Sequence, residues 1–390
     1  MVGRTSAKRV LIVAGEASGD LHAANLVRSL SAIMPAVDCY GMGGTAMAEA
    51  GVRLIQDLRT VSVIGLVEVV SKLPVILRTL RSLVREAVRA RPDVAILVDF
   101  PDFNLRLAER LKGLGVLIVW YISPQLWAWR AQRLPRFAAV VDYMIVILPF
   151  EVDFYNRYGL RVHFVGHPLL DIVRPSAAPE EILCRHDLKQ GSVIALLPGS
   201  RRVELALLLK HLVGAARLLY AADRSRQFVL PVASTINMRE LEPFLPKDLP
   251  IIAIENSTYD LLSVASCAVV AAGTATLEAA LLGTPQVIVG RVKPLTWLIW
   301  SRYTRLPYYG LPNWILGERF VPELIQHNAH AAAIAAELER LLASEQLRES
   351  LAKGYEAVRL RLGSSGASER AAGLVARILD GDSTIERFRK

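Results

Sequence analysis

The sequence predicts two doubly wound α/β domains in succession, closed by a helical tail. Three observations predict this. The chain has 390 residues, too many for one ordinary core and enough for two. Short apolar runs alternate with helical stretches. The alternation also occurs twice, on either side of a break near residues 168–190, where Pro175, Pro179 and a cluster of charges interrupt it.

In the first half the apolar runs are 10–14, 94–98, 117–121 and 143–148. In the second they are 193–197, 228–232, 251–254, 268–271 and 287–289. Continuous apolar runs of this length read as parallel strands covered on both faces. Strand–helix alternation then implies doubly wound layers. The expected divisions are an N-terminal domain at 1–172, a C-terminal domain at 186–345 and a helical tail at 346–390. Two such domains facing each other leave a cleft, where ligands meet the carboxyl ends of the strands.

Hydrophobic residues make up 53% of the chain and charged residues 21%. No apolar run reaches the roughly 20 residues that span a bilayer. The first run stops at Glu16 and Asp20, as a buried strand does and a signal-peptide core does not, so a cytoplasmic protein is expected. The net charge of +9 suits an anionic membrane surface or phosphorylated substrates. No nucleic-acid signature accompanies the charge, and no nucleic-acid partner is expected. Cys39, Cys184 and Cys267 are odd in number and widely spaced. That predicts reduced thiols and no metal cluster.

Four motifs follow strands. The first is Gly15-Glu-Ala-Ser-Gly-Asp20. Its glycines allow a sharp turn and close approach of a ligand. The spacing is not that of a nicotinamide site. Glu16 at a strand's end faces the ligand crevice, with Ser18 beside it. The plainer alternative is a helix start capped by Ser18 or Asp20. The second motif is Asp99-Phe-Pro-Asp-Phe-Asn104, in which Asp99 can accept a proton from an attacking sugar hydroxyl. Asp102 and Asn104 read as caps of the next helix. The pattern is not a metal-chelating Asp-x-Asp pair, so no metal and no cofactor is expected. The third is Leu197-Pro-Gly-Ser-Arg201, a small-residue loop at a helix start with an Arg to clamp phosphate. The fourth is Gly273-Thr274-Ala-Thr-Leu-Glu278, a second anion nest whose Glu278 suits two ribose hydroxyls. For these last two loops, an exposed turn or an exposed helix acid is the plain alternative.

Two apolar segments stand beside basic ones: residues 61–70 before Arg78, Arg81, Arg85 and Arg89, and residues 295–300 before Arg302 and Arg305. That pairing is what interfacial binding needs. Buried core is the alternative.

Taken together, these motifs resemble one family. With Ser123-Pro-Gln-Leu-Trp-Ala-Trp129, Leu148-Pro-Phe-Glu151, Gly166-His-Pro168, Leu311-Pro-Asn313 and Val321-Pro-Glu-Leu-Ile-Gln326, they fall in the order seen in lipid-A-disaccharide synthases. The resemblance runs from about Val10 to about Gln326. It implies a metal-free GT-B glycosyltransferase fold, with two Rossmann-like domains and a helical tail. It implies UDP-2,3-diacylglucosamine as donor and 2,3-diacylglucosamine 1-phosphate as acceptor. It makes Asp99 the base, with Glu16 beside it, Arg201 the diphosphate partner and Glu278 the ribose acid. Asn313 and Gln326 match motif positions on the substrate side. A homodimer exchanging C-terminal parts and peripheral association with the inner membrane are also implied. The rivals are another GT-B enzyme, such as an epimerase of UDP-GlcNAc-type substrates, and a non-catalytic nucleotide-binding scaffold.

Overall fold

A strand apolar on both faces leaves its N–H and C=O groups only a neighbouring strand as partner, so the apolar runs assemble into sheets. The computed structural model describes residues 7–60, 66–129, 131–233, 236–294, 296–298 and 306–389. It divides into two compact units, Met1–Asp171 with Leu362–Lys390, and Ile172–Arg361.

The first unit holds β1 (Arg9–Ala14), β2 (Asp38–Gly43), β3 (Arg53–Asp57), β4 (Val94–Val98), β5 (Leu117–Tyr121), β6 (Tyr143–Val146) and β7 (His163–Phe164). They form one parallel sheet in the order β3-β2-β1-β4-β5-β6-β7. Ala14 lies opposite Val98, and Val98 opposite Tyr121. The three central strands therefore end level, and the loops after them leave from one edge. The winding reverses between β1 and β4, the switch point where such sheets bind ligands. The core is mainly aliphatic with several buried aromatic rings, among them Trp120, fully buried and edge-on to Phe137 at 4.8 Å.

The second unit repeats the design with β8 (Val193–Leu197), β9 (Gln227–Val232), β10 (Ile251–Glu255), β11 (Cys267–Ala271), β12 (Gln286–Gly290) and β13 (Glu323–Ile325). Their order is β10-β9-β8-β11-β12-β13, all parallel, with the switch between β8 and β11. The helix Arg202–Ala222 is long and apolar enough to cross a membrane by composition. It buries Leu205, Leu208, Leu209, Leu212 and Leu219 inside this unit. Gly214 lets it approach the helix Ala331–Ala343, because a Cβ there would stand 2.8 Å from the Ala331 methyl.

The stretch expected as a tail at 346–390 is divided between the units. The helix Glu345–Arg361 buries Leu351, Tyr355 and Val358 in the second. The helix Ala367–Leu379 then packs along Ala17–Ile33 in the first. The Gly166-His-Pro168 motif fastens it there. Gly166 has φ +84 and no room for a Cβ, which would meet Arg370 Nη2 at 2.7 Å. Arg370 donates to Val165 O at 2.8 Å, and Leu362 O accepts from His167 N at 3.1 Å. Burial pushes the His167 ring down to about 3, so it stays neutral and accepts from Leu169 N through Nδ1.

Candidate functional site

In the first unit the predicted loops meet at the β1/β4 switch. Gly15 is buried, and a side chain there would run into the Phe100 ring, so the loops after β1 and β4 are in contact. Glu16 and Ser18 are exposed at the start of the helix Ala17–Ile33. Neither Ser18 nor Asp20 caps this helix, contrary to the simpler sequence reading; Glu16 occupies the cap position with no side-chain bond. Asp20 is buried and turns elsewhere. Its carboxylate accepts from Gly44 N at 2.6 Å, Met47 N at 3.2 Å and Ala46 N at 3.1 Å, so it caps the short helix Thr45–Glu49.

Asp99 is half-buried directly after β4, with φ +44, and Phe100 follows at φ +46. Two successive left-handed residues that are not glycine mark strain held in place by the surroundings. The holding group is Asn104. Its Nδ2 donates to Asp99 O at 2.8 Å and to Val98 O at 3.2 Å. Asn104 therefore clamps the turn before its helix, where a cap had been expected. Asp102 is exposed and pairs with Arg133 at 2.6 Å. Phe100, not Asp102, occupies the cap position of the helix Pro101–Gly113.

Glu151 closes the Leu148-Pro-Phe-Glu151 motif. It is 1% exposed, and burial raises its carboxyl to about 8. It accepts from Leu148 N at 3.1 Å and Trp127 Nε1 at 3.2 Å, which ties the segment after β5 to the helix Pro149–Arg157. Pro at the first helical position and Glu at the third were the readable signal.

In the second unit a cavity of about 760 Å³ opens at the carboxyl ends of β8, β9, β10 and β11. Gly199, Ser200, Arg201, Gly273 and Glu278 line it, and Thr274 is exposed beside Gly273. Both predicted phosphate-type loops thus flank the β8/β11 switch. Gly199 has φ +108, and a side chain there would run into Glu204. Glu204 accepts from Ser200 N at 3.1 Å and Arg201 N at 3.3 Å, which shapes the loop. Arg201 is exposed and shares Glu204 at 3.3 Å. A pair whose guanidinium is this exposed to water is worth little, so the guanidinium is available to an anion. Glu278 is half-buried, and desolvation raises its carboxyl above the ordinary range. Among the described residues, no group of three or more His, Cys, Asp or Glu is placed to hold a metal ion.

Asn313 and Gln326 do not line this cavity. Asn313 is fully buried. Its Nδ2 donates to Val321 O and Glu323 Oε1, both at 2.9 Å, and its Oδ1 accepts from Val321 N and Phe320 N. Gln326 brackets one residue, accepting from Val292 N at 2.7 Å and donating to Val292 O at 3.1 Å. Gln326 spends its amide on the backbone, and Asn313 divides its own between the backbone and the Glu323 carboxylate. Of the two apolar–basic segments, residues 61–65, 295 and 299–305 lie outside the described residues.

The profile of the Lipid-A-disaccharide synthetase family matches residues 10–378. The chain belongs to the lipid-A-disaccharide synthetase family. A lipid-A-disaccharide synthase of Geobacter metallireducens is 43% identical over 380 residues, 97% of this chain and 99% of the relative. One of Myxococcus xanthus is 42% identical over 377 residues, 96% and 98%. Among solved structures, the UDP-GlcNAc 2-epimerase of Neisseria meningitidis bound to UDP-GlcNAc superposes with a TM-score of 0.66 at 12% identity, covering 96% of this chain and all of that one. That likeness shows the fold alone, which GT-B glycosyltransferases share. As a family member the chain is a glycosyltransferase of lipid A disaccharide synthesis, and the epimerase alternative is not favoured.

Proposed function

We propose that the second unit's cavity takes UDP-2,3-diacylglucosamine and that Asp99 activates 2,3-diacylglucosamine 1-phosphate. The observation that carries this is the cavity's lining: two small-residue loops at helix starts, one exposed arginine, and one half-buried acid. Helix starts and Arg201 suit a diphosphate, and Glu278 suits a ribose diol. In the reaction, the acceptor's 6-hydroxyl attacks the donor's anomeric carbon and gives its proton to Asp99. The bond from that carbon to the UDP oxygen breaks, UDP leaves with the electron pair, and a β-1,6-linked disaccharide 1-phosphate forms. Thin-layer detection of that disaccharide from the two defined acylated sugars tests the reading, and no product would sink it.

Arg201→Ala is expected to weaken UDP binding and to lower turnover, because charge builds on the diphosphate as UDP departs. Arg201→Lys is expected to rescue only part, since ammonium lacks the bidentate fork. Calorimetry with UDP reads this, and unchanged affinity in the Ala variant removes Arg201 from the diphosphate.

The acyl chains of both substrates stay in a bilayer, so a membrane surface belongs to this reading. Arg78, Arg81, Arg85 and Arg89 are exposed on the helix Leu66–Ala90, which supports it. Wild-type protein is expected to bind anionic vesicles, and salt to weaken that binding without abolishing it. Charge attraction fades beyond about 8 Å at physiological ionic strength, while apolar insertion is not screened. Ile64, Leu66 and Val69 replaced together by Ser are expected to lower vesicle binding and leave UDP binding unchanged. A folded triple variant that sediments normally with vesicles puts the contact elsewhere. A homodimer is part of the same reading, with Leu362–Lys390 as the part to exchange.

A further inference from the structure

Glu278 is a poor ribose clamp by itself. A glutamate side chain has several rotatable bonds, and freezing them on binding costs entropy. A half-buried carboxyl also loses ionised form to desolvation, and a neutral acid accepts hydroxyl donors less well. Both penalties shrink if a neighbour holds the carboxylate in place beforehand.

The structure supplies that neighbour. Tyr259 stands in the first turn of the helix Thr258–Val264, directly after β10, and lines the same cavity. Its hydroxyl donates to Glu278 Oε1 at 3.3 Å. Among the described residues no other side chain bonds the Glu278 carboxylate, so Oε2 stays open to a ligand. The turn carrying Tyr259 is itself anchored. Asp260, the next residue, is buried and accepts from Ser176 N and Ser176 Oγ, each at 2.6 Å, with Arg185 Nη1 at 3.6 Å. The phenol is therefore aimed from a fixed base.

We propose that Tyr259 is a positioning residue that holds Glu278 for the ribose hydroxyls and so sets the preference for a ribonucleotide. The proposal rests on the reading of this cavity as the UDP site. The bond to the phenol favours the ionised carboxylate and opposes the effect of burial. The other charged groups lining the cavity are Arg174, Arg185, Arg201, Glu204 and Asp260. Glu204 is engaged with its own loop and Asp260 with Ser176. Neither bonds Glu278.

The test uses the full chain, with UDP and 2′,3′-dideoxyuridine diphosphate as probes in calorimetry. Wild type is expected to prefer UDP by about tenfold or more, the weight of hydroxyl bonds to a charged group. Tyr259→Phe keeps the ring and is expected to weaken UDP by about fivefold, with less than a twofold change for the dideoxy probe. Glu278→Gln is expected to remove most of the preference, and Tyr259→Phe added to it to change nothing further. Equal weakening of both probes by Tyr259→Phe, or no weakening of either, overturns the proposal. A Tyr259→Phe protein whose thermal unfolding midpoint falls while its probe preference holds overturns it as well, since the phenol would then be only structural. Wild type that fails to bind UDP, or does not separate the two probes, defeats the reading of the cavity and Tyr259's role with it.

Discussion

Asp99→Asn is expected to leave the protein folded and to slow turnover by about a hundredfold or more, the usual weight of a general base. Substitution to Asn is the clean form of this experiment because of the backbone. Asp99 sits at φ +44, a conformation that Asn adopts at least as readily as Asp and that β-branched residues resist. The carbonyls of Val98 and Asp99 remain held by Asn104, so the turn should survive. What disappears is the capacity to take a proton. UDP affinity should be unchanged, since the nucleotide is assigned to the other unit. Steady-state rates with acylated substrates read the result, and activity within a few-fold of wild type would take Asp99 out of the mechanism.

Asn313→Ala is expected to destabilise the second unit by about 3 kcal/mol, the scale for breaking a buried, fully bonded polar group. Glu323 makes the cost larger than one bond. Its side chain is only 1% exposed, and Oε1 gathers Tyr309 N at 3.0 Å, Gly310 N at 2.8 Å and Asn313 Nδ2 at 2.9 Å. Without Asn313, that carboxylate loses a donor, and Val321 N and O lose their partners. Activity should fall in step with the folded fraction, and cooling the assay should restore part of it. Full stability combined with weakened UDP affinity would instead return Asn313 to ligand contact.

The central strands were legible because burial on both faces demands unbroken apolar runs. Residues 94–98, 117–121 and 193–197 match β4, β5 and β8 end to end. The strands missed lie mostly at sheet edges or carry mixed composition. β3 mixes polar and apolar residues, and β7 and β13 are short. β2 is buried but glycine-rich: Gly41 passes so close to Ile12 O that no side chain fits. The loops at both switch points were legible because small residues after an apolar run announce a tight turn. The roles of Asp20, Asn104 and Asn313 were not. Their residue types suggest caps, but each has partners fixed only by packing, as Asp20 has across 24 positions to Gly44. Tyr259 was missed for the same reason: nothing within helical or strand periodicity links it to Glu278, 19 positions on.

The division of the chain at Asp171 and Leu362 bears on the order of synthesis. The first unit to leave the ribosome cannot be the first to finish. The face of Ala17–Ile33 that receives Ala367–Leu379 waits uncovered until that helix is made, after all of Ile172–Arg361. A chain cut back to position 361 would carry the second unit whole and the first without its closing helix. That exposed face is where a chaperone should be found.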